Sequence, residues 1–199
     1  MALRKSIGLF KNLAANEVND TDKVIKDALD YLIEYGINTA ENREAIYTFP
    51  TYSLRIAIAL NTLKRHGVLT EQNRLRICAH AEYSTGLALA IGVLYESNIY
   101  TLPNWILLAK LSEKALAIAF SFKSLLTSGL YTESNKVNIL TIYSNLEYPD
   151  AMNLSYSLSS VSNHGNLTQE NFDKLCADPE DAWDIEHSIN NKILSKHNH

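Results

Sequence analysis

The chain has 199 residues, 46% apolar and 20% charged, which suits one folded domain or one continuous array rather than a disordered segment. Its net charge of −4 sits entirely in residues 165–199, where 7 acidic residues face 3 basic ones, while residues 1–164 balance at 15 of each. No basic stripe is left for nucleic-acid phosphates, and no apolar run approaches the roughly 20 residues of a spanning helix.

In chain order, the apolar stretch Ile7 to Phe10 is cut short by Lys11 and Asn12, too soon for a secretory leader. A first, incomplete hairpin near 5–35 is expected to have its second helix over Val24–Tyr35. Five units then open alike: Gly36, Thr39 and Asn42; Gly67, Thr70 and Asn73; Asn98, Thr101 and Asn104; Gly129, Thr132 and Asn135; Gly165, Thr168 and Asn171. Their starts lie 31, 31, 31 and 36 residues apart, giving units near 36–66, 67–97, 98–128, 129–164 and 165–197.

Each column has a job at a helix end. The Gly or Asn suits a left-handed residue that stops the preceding helix. The Thr suits an N-cap, where its hydroxyl accepts an orphan N–H. The Asn stands in the capping-box position, from which it is expected to reach back to the cap backbone. Pro103 falls in a first helical turn, where a missing N–H does no harm.

Between these signals the apolar pattern predicts two helices per unit. The first, about ten residues long by its start and stop signals, buries Ile46, Ile77, Leu108, Ile139 or Leu175. The second, about fourteen, carries a face at spacings of 3, 4 and 7: Ile56, Ala59, Leu60 and Leu63 in one unit, Leu87, Ala90, Ile91 and Leu94 in the next. The pattern continues through Ile118, Ser121, Phe122 and Leu125 and through Leu154, Ser157, Leu158 and Val161, with Ile185, Ser188 and Ile189 in the last unit. The extra residues of the fifth unit fall near 144–149 and are expected in a loop between its helices, where repeat arrays often place function. The fold class expected is an all-α solenoid of about six helical hairpins forming one domain over residues 1–199.

The stretch from Leu167 through Thr168, Gln169, Glu170, Asn171 and Phe172 to Leu175 and Pro179 resembles the helical repeats of type IV-secreted effector proteins of intracellular gamma-proteobacterial pathogens. The likeness is close in the last unit and degenerate in the earlier ones. It implies a non-enzymatic interaction module, made in a bacterium and delivered into a host cytosol, whose partner is a host protein or another effector. The acidic residues from Asp178 to Glu186 are similar to the acidic patches of such translocation tails. The third unit also looks somewhat like DNA-reading repeats of the transcription-activator-like type. Its inter-helix turn, His80 to Tyr83, lacks the glycine-rich loop those repeats use, and the chain is acidic.

Chemistry is sparse. No phosphate-binding glycine loop, His-Glu-x-x-His or Cys-x-x-Cys occurs, and no cofactor or metal is expected. The alternative to a binding scaffold is an enzyme with Cys78 (near His80) or Cys176 (near Asp178 and His187) as nucleophile. The terminal His197 and His199 read as a tail. The expected partner site lies early on the first helices: Arg43, Arg74, Trp105 and Lys136 at the eighth position of their units, with Leu102 and Ile106 beside Trp105. Large apolar residues flanked by Arg are the composition of binding hot spots.

Overall fold

The structure is a computed structural model describing residues 21–196. The first half of the expected 5–35 unit, the Ile7–Phe10 stretch and the His197–His199 tail lie outside the described residues. Within them the chain forms eleven α-helices and no strand. Six longer helices, α1 (Thr21–Glu34), α3 (Ser53–Arg65), α5 (Ser84–Glu96), α7 (Ala115–Thr127), α9 (Tyr148–Asn163) and α11 (Ala182–Lys196), alternate with five first helices of their units. These are α2 (Ala40–Thr48), α4 (Glu71–Cys78), α6 (Leu102–Lys110), α8 (Glu133–Asn145) and α10 (Gln169–Ala177).

Every longer helix packs against the next longer helix along the chain. Helices α2, α4, α6 and α10 each lie against the longer helix on either side, while α8 lies against α7. The apolar columns of α3, α5, α7 and α9 are the core, buried throughout along with Ile46, Ile77, Leu108, Ile139 and Leu175 of the first helices. The small residues of that face, Ala59, Ala90, Ser121 and Ser157, are all buried as well. In α1, Ile25 and Leu29 are only partly buried, because no longer helix precedes α1 among the described residues. Ser188 of α11 is exposed for the matching reason at the other end.

The helix ends show why the same residues recur. Gly36, Gly67, Gly129 and Gly165 have φ of 63° to 71°, and Asn98 has φ 57°. A Cβ is strained there, so glycine is the cheap solution and Asn the tolerated one. The amide after the stop returns to the carbonyl five residues back, as in Ile37 N–H to Leu32 O at 2.9 Å, which closes a Schellman turn. Thr39, Thr70, Thr101, Thr132 and Thr168 then cap the next helix, each Oγ1 accepting the backbone N–H of the Asn three residues on at 3.2–3.4 Å.

The Asn side chains differ from expectation. They do not reach the cap backbone: each Nδ2 donates to the carbonyl two residues before the cap, namely Ile37, Val68, Ile99, Leu130 and Asn166, at 2.6–2.9 Å. The reason is visible in the loop. In four of the five units the Thr N–H already donates to that same carbonyl, so the cap N–H has no need of a capping-box acceptor. What the loop lacks is a donor, which Asn has and Glu has not.

The fifth unit also departs from expectation. Its extra residues do not form a loop: α8 has 13 residues where the other first helices have 8 or 9, and α9 has 16 where α3, α5 and α7 have 13. Only Leu146 and Glu147 separate them. The added turn of α8 carries Tyr143, fully buried, whose hydroxyl meets Ser121 Oγ at 2.6 Å. Ser therefore stands at 121 where the earlier longer helices have Ala28, Ala59 and Ala90.

Asn104→Asp keeps the shape but removes the donor to Ile99 O and Tyr131 Oη. A carboxylate at a helix N-terminus gains about 0.3–1 kcal/mol, whereas a buried carbonyl losing its partner costs about 1–3. The variant is expected to be net destabilised in chemical denaturation, where Asn153→Asp on an exposed face is expected to be neutral.

Candidate functional site

The caps aim the first helices so that the ninth position of each unit points to solvent. Those positions hold Glu44, Leu75, Ile106, Val137 and Asp173. Leu75 is 60% exposed, Ile106 45% and Val137 58%, and Leu102, one turn before Ile106, is 59% exposed. Three successive units thus present an aliphatic side chain at one register position, bounded in the outer units by exposed carboxylates.

The six residues expected from sequence divide. Leu102 and Ile106 are exposed on this face, as is Arg43, whose Nη1 donates to Asn38 O at 3.3 Å, while Arg74 is half-buried beside them. Trp105 is not exposed; it is 8% accessible and joins two units. The Arg76 guanidinium lies 5.1 Å from its ring centroid, and the His80 ring meets it edge-on at 6.1 Å. Lys136 is also 8% accessible, its ammonium 5.0 Å from the Tyr131 ring centroid and paired with Glu133. Both correct the exposure expected of them: Trp105 is covered by a guanidinium of the preceding unit, and Lys136 by a ring five residues earlier in its own unit.

Leu75 and Val137 are what sequence reasoning left out of the site. Their signal was present as the aliphatic ninth position of three successive units between Glu44 and Asp173.

Neither cysteine is set up as a nucleophile. Cys78 and Cys176 are free and buried, and burial pushes their thiols up to about 11 and about 12, with Asp173 adding to the shift at Cys176. A reactive thiol needs the opposite environment, electropositive and accessible. His80 is engaged with Trp105, and His187 is exposed on α11. An open groove at the inter-helix turns, lined by Phe49, Tyr52, His80 and Tyr83, is flanked by the chain's own Arg55, which lies 5.9 Å over the Tyr52 ring and donates to Glu82 O at 2.9 Å.

Among the described residues no group of three His, Cys, Asp or Glu side chains is placed to hold a metal ion, and no single helix is long and apolar enough to cross a membrane. No family model, curated protein or solved structure matches the chain.

Two expectations follow from this geometry. Trp105→Ala should lower unfolding free energy by about 3 kcal/mol, the cost of emptying a buried aromatic site, whereas Ile106→Ala should change it by no more than about 0.5. Thiol alkylation at pH 8 should be slow at both cysteines in the folded chain and fast in denaturant; prompt labelling of either would contradict the burial described.

Proposed function

We propose that the chain is a solenoid of helical hairpins acting as a non-enzymatic scaffold that grips a protein partner along the exposed side of its first helices. One observation carries the reading: Leu75, Ile106 and Val137 repeat at a single register position, with Leu102 alongside, and none of them is needed by the core. Apolar side chains left in water at equivalent sites of consecutive units have a cost that a partner's surface removes. Full burial of one Leu, Ile or Val contributes about 1.5–3 kcal/mol, so four together offset a substantial part of the entropy lost on association.

The resemblance of the Leu167–Phe172 stretch to secreted helical-repeat effectors supports the setting: synthesis in a bacterium, delivery into a host cytosol, and a host protein or another effector as partner. The burial of both cysteines, with their thiols raised, favours this reading over the cysteine-enzyme alternative, and the neutral net charge of residues 1–164 favours it over nucleic-acid binding.

The test is affinity capture from host and bacterial lysates with the parent chain and with L75Q/I106Q/V137Q, Gln being a good helix former. The parent should retain a protein that the triple variant loses, with thermal stability essentially unchanged. Equal capture by both would remove this face as the binding surface.

A further inference from the structure

Among the described residues, the loops that open successive units are tied to each other by side-chain hydrogen bonds, and the tie is missing at one junction. Between the third and fourth units, the Tyr100 hydroxyl donates to Asn73 Oδ1 at 2.5 Å, and Arg76 Nη1 donates to both the Tyr100 hydroxyl and Asn73 Oδ1. Between the fourth and fifth, Asn104 Nδ2 donates to the Tyr131 hydroxyl at 2.7 Å. Between the fifth and sixth, Asn135 and Gln169 exchange two amide hydrogen bonds at 3.0 and 3.2 Å. Between the second and third, Asn42 Oδ1 is buried with no hydrogen-bond partner.

Two residues account for the gap. Leu69 stands where Tyr100 and Tyr131 stand in the following units, and Ala45 stands where Arg76 does. Neither can donate. On the longer-helix side the ties that bear on the α1–α2 hairpin run between α1 and α3: Asn61 Nδ2 donates to the Tyr31 hydroxyl at 3.1 Å, and Lys64 Nζ to Tyr35 O at 2.8 Å.

We infer that, among the described residues, the seam between the α1–α2 hairpin and the α3–α4 hairpin is a hinge: α1 with α2 rocks about the Tyr31–Asn61 and Tyr35–Lys64 ties, which join α1 to α3, and opens on the first-helix side between Asn42 and Leu69. The apolar contact left at Leu69 is non-directional, and it resists such a displacement less than a directed hydrogen bond does. A buried acceptor without a partner further destabilises the closed arrangement relative to an opened one in which water reaches Asn42 Oδ1. The consequence for partner binding, which rests on the docking reading above, is that the spacing from Glu44 to Leu75 is adjustable while Leu75, Ile106 and Val137 move together.

Pulsed electron–electron resonance on the full chain, in a C78A/C176A background, tests the hinge without any partner. Spin labels at Thr48 and Lys110 span the proposed hinge and the junction after it. Labels at Ala79 and Thr141 span two tied junctions across a similar gap, about 16–20 Å for two helix layers. All four positions are exposed. The first pair should give the broader distance distribution. Leu69→Tyr, which supplies the missing hydroxyl, should narrow it to the width of the second pair, whereas Leu69→Phe should leave it broad. Tyr100→Phe should broaden the second pair. Equal widths in the parent, or indistinguishable Leu69→Tyr and Leu69→Phe distributions, would overturn the hinge; because no partner is present, either result leaves the docking face untouched.

Discussion

A single carbonyl in each inter-unit loop sets the terms for the rest of the molecule. The oxygens of Ile37, Val68, Ile99, Leu130 and Asn166 follow a left-handed stop, and the Asn five residues later donates its side-chain amide to each. The same Asn gives its backbone N–H to the Thr cap, so one residue closes the loop and starts the next helix. Four of these asparagines are buried, in an environment where an unpaired amide is costly and a satisfied one rigidifies. Each longer helix is thereby joined to the first helix that follows it through the same loop hydrogen bond in five places.

The longer helices pack on one another and carry the core, while the joints between units vary in chemistry. Near the N-terminal end of the described residues they use Tyr31 with Asn61 and the hydrogen bond of His66 Nδ1 with Glu96 Oε1 at 2.7 Å, beside which Gly92 has no room for a Cβ. Towards the C-terminus they use hydroxyls, Ser124 with Ser159 and Ser128 with Ser162 at 3.0 and 2.8 Å. None of these joints engages the ninth position of a first helix. The aliphatic residues there, Leu75, Ile106 and Val137, take no part in these joints and stay exposed.

Residues whose role is settled within one unit were legible in the sequence. Stops, caps and the apolar columns obey local rules of helix geometry, and all of the expected core residues in α3, α5, α7 and α9 are buried. Roles settled between elements were not legible. Trp105 reads as exposed until Arg76 and His80 of the preceding unit are placed against it, and spacing along the chain carries no trace of that contact. Lys136 reads as a surface cation although its partner, the Tyr131 ring, lies only five residues before it, because position along the chain does not say which way a long side chain turns. The Asn column was found, but spacing could not say which way the side chain turns; that depended on a loop carbonyl whose direction follows from the left-handed residue before it. The five-residue insertion of the fifth unit likewise became helix because Tyr143 has a buried partner in Ser121, a contact made across 22 residues.

Side-chain amide hydrogen exchange by NMR tests the loop closure most directly. The Nδ2 protons of Asn42, Asn73, Asn104 and Asn135 should exchange far more slowly than those of Asn153 and Asn163, which are exposed. If the four exchange as fast as the exposed pair, the loops are not closed by these amides and the account of how the hairpins are held in place is wrong.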